Sequence, residues 1–480
     1  MTALRIGDEP LAPATVAAAV RARGLNVELT PAARERMEQA HRTAQKTADD
    51  HEVYGFTTGV GALRDVEVAG DLQEHTLRLL RSHAAGLGDP LPEEVVRGTL
   101  LVRLAQLAAG AGGNRPAVAD AVAAVLCEGP LPRLRGLGGI GTGDLTVLAQ
   151  LALALAGEAD PRDPARLPRR LDIEPGDALP FMSSNAATFA TAVLAWRDLA
   201  DLLDAGFGVA ALTFDALRGN REAFDEAVAA ARPLPGLTAA GARMRVLTAD
   251  APAPGRLQDP FGLRCVPPVA GALDDALSSL EDVLAIEINA GAENPLFAGG
   301  RALHHGGFHA ATCALALDAV RLALVPFASL SAARLTHLMA PELSGLTPFL
   351  AVEEPGASGV MIAEYLAADA LARLRAEAVP AVIGSASISR GLEEHASFAW
   401  QAAWQARRAA THVRTVVALE WVVAERALRM RGAPPEGVLA GARALATGFD
   451  ERLEDRPIGD DVARAAALLE ALAGVVRAAL

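Results

Sequence analysis

Apolar positions recur with helical spacing along most of the chain, and few stretches alternate as strands do. The first fifty residues predict two helices with one polar face each. These begin near Pro13 and Pro31, and Thr30 is placed to cap the second. From Leu273 the helical pattern continues almost to the end of the chain. The pattern therefore predicts a mainly α fold, a bundle of long helices whose functional residues lie on loops and helix ends.

The breaks between the helical stretches are rich in glycine, proline and polar residues. The longest covers residues 232–268, where seven prolines predict an irregular segment, and loops of that length often carry function. Two other breaks, at residues 54–61 and 136–143, are rich in glycine. Chemistry is therefore expected at these breaks rather than in the middle of the helices.

The composition indicates a globular protein with an aliphatic core. Apolar residues make up 51% of the chain, charged residues 21% and aromatic residues only 4%, so alanine, leucine and valine must supply most of the core. The formal net charge of −14 repels phosphate backbones and anionic lipid. We therefore expect neither nucleic acid nor a membrane as a partner.

Targeting signals and cysteine usage favour a cytoplasmic protein. Residues 1–10 do not have the basic-then-apolar pattern of a signal peptide. No apolar run is expected to reach membrane-spanning length, because the best candidate, residues 145–156, is too short. The three cysteines, Cys127, Cys265 and Cys313, are odd in number and far apart, so neither a disulfide framework nor a zinc spacing follows.

Two stretches near the N-terminus bring candidate acid–base groups. Tyr54, one of only two tyrosines, stands at the mouth of a glycine-rich loop, and its phenol can act as a base only if its pKa falls from about 10. The alternative is a turn with a packed tyrosine. His83 follows Ser82 among small residues, which leaves room for a ligand, but from this stretch alone a core histidine bonded to backbone is the favoured interpretation.

The glycine-rich break at residues 136–143 leads into a helix predicted to begin at Leu145. Thr142 or Asp144 could simply cap this helix. The helix N-terminus would also direct partial positive charge at Gly141-Thr142-Gly143. Because no lysine follows the glycines, the loop is a poor phosphate loop and nucleotide binding is excluded.

Further candidates lie in the second half of the chain. Arg264, within the proline-rich break, offers a planar guanidinium suited to a carboxylate, or it forms a surface pair with an aspartate. The adjacent Glu393 and Glu394 could do acid–base chemistry or belong to a solvated turn. Three histidines lie within residues 304–309, but no cysteine or aspartate stands beside them, so no metal site is expected.

Taken in order, these stretches resemble the family of histidine, phenylalanine and tyrosine ammonia-lyases. The resemblance runs from about residue 15 to about residue 432, with supporting stretches at residues 289–296, 344–350 and 358–362. One stretch fits less well: where the family usually has a Ser-Gly pair, this chain reads Gly112-Gly113-Asn114-Arg115-Pro116.

The resemblance implies a helical-bundle fold of the ammonia-lyase (fumarase/aspartase-like) type and a homotetramer whose active sites each draw on three subunits. It implies a small amino-acid-like substrate and no dissociable cofactor, because the family cyclises and dehydrates an internal Ala-Ser-Gly to a methylidene-imidazolone, a built-in electrophile. It also suggests a division into an N-terminal catalytic domain, residues 1–205, and a long-helix domain, residues 206–480.

The family's site residues carry over to matching positions of this chain. Tyr54 matches the catalytic base, Ser82 and His83 match the histidine-type selectivity pair, and Arg264 matches the carboxylate clamp. The electrophile position is Gly141-Thr142-Gly143. The other matching pocket positions are Asn185, Gln258, Phe261, Phe308 and Glu393.

Several departures from the family pattern cluster around the electrophile. Ala-Ser-Gly is replaced by Gly141-Thr142-Gly143, a tyrosine by Phe261, and the asparagine before Phe-His by Gly307. Glycine at position 141 loosens the loop, and dehydration of Thr142 would leave a methyl group on the carbon that an amine must attack. We therefore expect Thr142 to be unmodified in most molecules.

Three functions stay open at this point. The first is elimination of ammonia from, or 2,3-aminomutation of, histidine or a related amino acid. The second is a repurposed lyase, isomerase or cyclase that keeps Tyr54 and Arg264 but works without the electrophile. The third is a non-catalytic homologue, against which the joint presence of Tyr54, Arg264 and Glu393 argues.

Overall fold

The fold is mainly α, as the hydrophobic pattern predicts. The structure, a computed structural model, describes residues 3–22, 24–158, 167, 170–432 and 437–480. Its helices in chain order are α1 Pro13–Arg21, α2 Pro31–Asp50, α3 Leu72–His83, α4 Glu93–Ala108, α5 Pro116–Glu128, α6 Leu145–Leu155, α7 Ala178–Met182, α8 Ala186–Ala216, α9 Glu226–Ala231, α10 Pro235–Leu247, α11 Phe261–Arg264, α12 Val266–Glu287, α13 Ala311–Met339, α14 Pro341–Ser344, α15 Ile362–Glu377, α16 Ala399–Met430, α17 Ala440–Leu445 and α18 Gly459–Ala479.

The strands are short and form three separate two-stranded sheets within the described residues. They are β1 Leu4–Ile6, β2 Val27–Leu29, β3 Leu87–Pro90, β4 Arg135–Leu137, β5 Leu296–Ala298 and β6 Arg301–Leu303. β1 pairs with β2 in parallel, whereas β3–β4 and β5–β6 are antiparallel. The scarcity of alternating patterns in the sequence is thus matched by strands of only three or four residues.

Local signals place the first two helices where the sequence predicts them. Pro13 and Pro31 occupy first-turn positions, where a missing N–H costs no helical hydrogen bond. The Thr30 side chain accepts a hydrogen bond from the Ala33 amide at 3.3 Å, so the predicted cap is confirmed.

The prediction of one long irregular segment at residues 232–268 is wrong in part. The segment contains all of α10 and α11 and the start of α12. Its prolines break helices less than expected because Pro235 lies in the first turn of α10 and Pro260 is the N-cap of α11. Only residues 248–260 form a long irregular connection.

The chain divides into two compact units, each discontinuous in sequence. The first comprises Met1–Ala195, Leu280–Leu317 and Pro380–Trp404. The second comprises Trp196–Ser279, Asp318–Val379 and Gln405–Leu480. The domain division at residues 205 and 206 stays a prediction.

Two helical stretches are longer and more apolar than the sequence pattern indicates. Ala178–Ala216 and Ala311–Met339 are long and apolar enough to cross a membrane by length and composition alone, so the expectation that no run reaches that length is wrong. The most apolar window of the first is 94% buried within the protein and that of the second 50%. Burial of this kind is also typical of core helices in globular proteins.

The second unit contains a buried charge cluster around Glu420. Both carboxylate oxygens receive an Arg334 N–H, at 2.6 and 2.8 Å. The hydroxyl of Thr213 donates to one oxygen at 2.7 Å and that of Ser331 to the other at 2.6 Å. Both oxygens of the buried carboxylate thus have hydrogen-bond partners within the unit, so the cluster leaves no acceptor open to a ligand.

Candidate active site

The first unit contains a cavity of about 1060 Å³ that opens to its surface. Five of the residues singled out from the sequence line it, although they come from five separate stretches of the chain. They are Tyr54, His83, Thr142, Phe308 and Glu393. A cavity of this size accommodates a small organic ligand with room to spare.

Tyr54 is held at the cavity wall by the loop that follows it. Its hydroxyl oxygen accepts the N–H of Gly61 at 2.7 Å. Gly61 has φ of +57°, and a Cβ there would overlap the hydroxyl of Ser389. Burial raises the pKa of Tyr54, the Gly61 N–H opposes this, and the charge of Glu393 raises it further. The phenol is therefore protonated at neutral pH in a single chain.

The loop Gly141-Thr142-Gly143 is fixed at both ends in an open, hydrogen-bonded form. The Gly141 carbonyl accepts the hydroxyl of Ser397 at 2.6 Å and the amide of Ala310 at 3.3 Å. At the other end the Gly143 amide donates to Oδ1 of Asn185 at 2.9 Å. These contacts position Thr142, which lies between them, at the cavity.

Asn185 links two of the predicted site stretches. Its Oδ1 accepts from Gly143, and its Nδ2 donates to the Phe308 carbonyl at 2.6 Å. Asn185 itself is buried at the junction before α8. It therefore sets the distance between the glycine-rich loop and the loop that carries Phe308.

The helix after the glycine-rich loop begins at Leu145 as predicted, but neither Thr142 nor Asp144 caps it with its side chain. The Asp144 carboxylate instead accepts the amide and the hydroxyl of Thr188, each at 2.7 Å. Burial raises the pKa of Asp144 to about 6 against the effect of these hydrogen bonds. Asp144 thus joins the loop to α8 rather than closing the end of α6.

The residues present do not fit the electrophile in the form that an Ala-Ser-Gly segment builds. Gly141 has φ of +77°, and a Cβ there would overlap the Ser397 hydroxyl and lie 2.6 Å from the Ala399 nitrogen. An alanine at this position would require the start of α16 to move. The hydrogen bonds of Gly141 and Gly143 also stabilise the uncyclised loop.

Histidines form a second group at the cavity. His83 Nδ1 lies 2.9 Å from the Leu79 carbonyl, so this nitrogen is engaged by its own helix. His309 Nε2 lies 3.0 Å from His395 Nδ1, with the two rings stacked 5.1 Å apart. Burial and the neighbouring His395 lower the pKa of His309. Sequence reasoning did not pair these two histidines.

Seven predicted site residues are not among the described residues that line the cavity: Gly141, Gly143 and Asn185, and also Ser82, Gln258, Phe261 and Arg264. Ser82 is exposed, and its hydroxyl donates to the Leu79 carbonyl at 2.9 Å. Gln258, Phe261 and Arg264 belong to the second unit. Gln258 and Phe261 are exposed, and the Arg264 guanidinium stacks 4.4 Å from the centre of the Phe261 ring. Their roles stay predictions.

Ser397 is a site residue that sequence reasoning missed. It lies two positions after the Glu393-Glu394-His395 stretch, but a serine in an apolar context carries no signal of its own. Its contact with Gly141 joins residues 256 positions apart. Over the residues that the structure describes, no group of three or more His, Cys, Asp or Glu side chains is arranged to hold a metal ion.

The helical fold and a cavity lined by a tyrosine, histidines, carboxylates and a glycine-rich loop agree with the class of helical carbon–nitrogen lyases. The aromatic amino acid lyase family model matches residues 11–449, and the chain belongs to that family.

Individual relatives agree with this assignment. The chain is 36% identical to the histidine ammonia-lyase of Geobacillus kaustophilus, over 81% of each chain. Its structure is similar to tyrosine aminomutase from Streptomyces globisporus, with a TM-score of 0.91, 25% identity, and 99% of this chain and 98% of the other covered. The ergothioneine-degrading ergothionase of Treponema denticola has a similar fold, with a TM-score of 0.90 and 24% identity. The likeness covers 98% of this chain and 99% of the other.

Proposed function

We propose that this enzyme eliminates ammonia from histidine or a related amino acid, or shifts the amino group between its α and β carbons. The observation that carries the proposal is the convergence of Tyr54, His83, Thr142, Phe308 and Glu393 on one cavity. Membership of the aromatic amino acid lyase family and the likeness to a histidine ammonia-lyase and an aminomutase support it.

In this proposal each group has a distinct task. Tyr54 takes the β-proton of the substrate, which requires that the assembled site lowers the pKa that burial raises in a single chain. The N–H of Gly61 already acts in that direction, because it stabilises the phenolate. His83, next to Ser82, selects the side chain of the substrate. Arg264 holds the substrate carboxylate through two parallel hydrogen bonds. Asn185, Phe308 and Glu393, with Gln258 and Phe261, complete the substrate pocket.

We place these residues in one site by assembly of a homotetramer in the cytoplasm. Arg264 is in the second unit, in a segment that exposes apolar side chains, with Leu257 87% and Phe261 63% exposed. Exposed apolar side chains beside a functional arginine favour burial against another copy of the chain. A monomer at micromolar concentration in light scattering would remove the basis for a shared site.

A second candidate, elimination or another rearrangement without the electrophile, is favoured by the environment of Gly141. A side chain at position 141 collides with Ser397, and the loop is stabilised in its open form. Tyr54 and Arg264 would then act on a substrate that is held only by non-covalent contacts.

The test combines an intact mass with a turnover assay. We expect the mass of the purified chain to equal the calculated value; a mass lower by two waters, about 36 Da, would show that Thr142 has been cyclised and dehydrated and would remove the second candidate. The turnover assay follows ammonia release from histidine and other aromatic amino acids. A second readout follows formation of the β-amino acid, because an amino-group shift releases no ammonia. Absence of both products from all of them would overturn the proposed function.

A further inference from the structure

A small polar chamber lies beside the large cavity in the first unit. Its volume is about 10 Å³, the space of roughly one water-sized molecule. Ser183 and Phe308 line both the chamber and the large cavity, so the two are neighbours. The chamber is also lined by Gln106, Asn185, Glu287 and Glu293.

The lining contains a buried carboxylate oxygen that needs a hydrogen-bond donor. Glu293 is 2% exposed, and its Oε1 pairs with Arg103 at 2.6 Å. Its Oε2 has no hydrogen-bond partner among the residues that the structure describes. A buried acceptor of this kind is costly unless a bound molecule donates to it.

The charge of the lining favours a cation over a neutral molecule. Glu287 and Glu293 contribute two carboxylates, and Arg103, which pairs with Glu293, contributes one positive charge. With Glu287 ionised, the group carries one net negative charge. Burial raises the pKa of Glu287 to about 7, which indicates a carboxylate that lacks a compensating positive charge.

Two departures from the family pattern border this chamber. Gly307 lines it, and a Cβ there would lie 2.8 Å from Nδ1 of His305. Gly112 packs against Glu293, because a Cβ there would lie 3.1 Å from Glu293 Cγ. Both glycines therefore make room for the chain that surrounds the chamber.

We propose that this chamber binds one ammonium ion, the nitrogen product of the reaction. The inference rests on the proposed function. When the β-proton passes to Tyr54, the C–H electron pair forms the C=C bond of the alkene. The C–N bond breaks, its electron pair goes to nitrogen, and the substrate ammonium leaves as neutral ammonia. Transfer of the Glu287 carboxyl proton to ammonia then gives ammonium and a carboxylate. Glu287 and Glu293 hold this ion away from the alkene, which opposes the reverse addition.

The test measures the melting temperature of the full-length protein against ammonium chloride, without substrate. Sodium chloride and tetramethylammonium chloride at equal ionic strength serve as reference salts. We expect a larger saturable rise with ammonium than with sodium, because only ammonium has an N–H to donate to Glu293 Oε2. Tetramethylammonium should give none, because it exceeds a space of one water and has no N–H. Glu287→Gln should weaken the apparent affinity for ammonium about tenfold or more, as the loss of a charged hydrogen bond implies.

Two control variants locate the ion. Glu394→Gln changes an exposed carboxylate that lines the large cavity, and Glu470→Gln changes an exposed carboxylate on α18. Both variants should bind ammonium with the affinity of the wild type. An equal response to tetramethylammonium, a loss of binding in Glu394→Gln, or full binding in Glu287→Gln would overturn the proposal. The melting experiment needs no turnover, so it is independent of the activity assay. Ammonium binding without activity in that assay would refute the proposed function alone, and activity without ammonium binding would refute the proposed chamber alone.

Discussion

Each compact unit contains a buried pair of an arginine and a glutamate, and the two pairs differ in what surrounds them. In the second unit, Glu420 receives four hydrogen bonds from Arg334, Thr213 and Ser331. In the first unit, Glu293 pairs with Arg103 through one oxygen, and within the described chain its other oxygen has no partner. The Arg334–Glu420 pair is therefore complete, whereas the Arg103–Glu293 pair borders a chamber beside the large cavity.

The difference separates a structural use of buried charge from a functional one. A buried ion pair is tolerated when all its polar atoms are bonded, as those of Glu420 are. An acceptor left open is a cost that a binding site recovers when its ligand arrives. The Arg103–Glu293 pair lies in the first unit together with Tyr54, Thr142 and Glu393, so we expect it to take part in function. We expect the Arg334–Glu420 pair to contribute to stability.

The largest effect should come from exchanging the tyrosine of each unit for phenylalanine. Tyr54→Phe removes only the hydroxyl at the cavity, and loss of a general base lowers the rate about 10²–10⁴-fold. Tyr365→Phe, at a position 67% exposed on α15, is the matched control and should retain wild-type kcat/KM. Steady-state kinetics and circular dichroism of both variants test this. Full activity in Tyr54→Phe would assign the base elsewhere, first to His83 or Glu393.

The two glutamates can be compared directly by the same substitution. Glu420→Gln leaves Arg334 buried without its counter-charge and should lower the free energy of unfolding by about 3–5 kcal/mol. Glu293→Gln should lower it by about 1–3 kcal/mol. The loss is smaller because Arg103 still donates hydrogen bonds to the carbonyl oxygens of Phe181 and Pro180, at 3.0 and 2.5 Å. Urea unfolding measures both. Equal losses of unfolding free energy in the two variants would show that the Arg103–Glu293 pair is as structural as the Arg334–Glu420 pair.

Arg264 tests whether the second unit also supplies a functional residue. Arg264→Met keeps a similar length and removes the guanidinium, so kcat/KM should fall about 30-fold to 1,000-fold, a loss of about 2–4 kcal/mol for a bidentate charged contact. Arg375→Met, at the end of α15, provides a control outside the candidate site. If both variants turned over the substrate normally, the second unit would be purely structural.

Gly141→Ala tests the fit of the glycine-rich loop. The added Cβ meets Ser397 and the Ala399 nitrogen at a residue with φ of +77°, so the variant should lose about 1–3 kcal/mol of stability. Thermal unfolding measures the loss, and Gly88→Ala, at φ of +90° with no atom within 4 Å of its Cβ, isolates the backbone contribution. Equal losses in both variants would mean that contact with Ser397 contributes nothing.

The smallest effect is a pH dependence centred on Glu287. Its pKa rises from 4.5 to about 7 on burial, so the folded chain holds this proton more tightly than the unfolded chain. The resulting stability is complete below pH 4.5 and is lost as the pH rises to about 7. The full shift corresponds to at most about 3 kcal/mol, which solvent screening of this partly exposed carboxyl reduces to the order of 1–2 kcal/mol, and Glu287→Gln should abolish this component. Urea unfolding at pH 5 and pH 8 should therefore show a smaller difference in the variant, and an unchanged difference would place the titration elsewhere.

Local signals in the sequence determined where the helices begin. Pro13, Pro31 and Leu145 start helices as predicted, and Thr30 caps as predicted, because capping and first-turn preferences act over a few residues. The prolines of residues 232–268 led to the wrong prediction of one long irregular segment for a related reason. The same residue type marks a loop or the first turn of a helix, and only the surrounding chain distinguishes the two.

The sequence by itself also determined the family and five residues of the cavity lining, since these stand in short stretches that can be read one at a time. Only the tertiary structure decided their partners. Asp144 bonds Thr188 instead of capping α6, Ser397 fixes Gly141 across 256 positions, and Glu293 keeps one oxygen open. These outcomes depend on which distant side chains packing brings within 3 Å, and no local pattern records that distance.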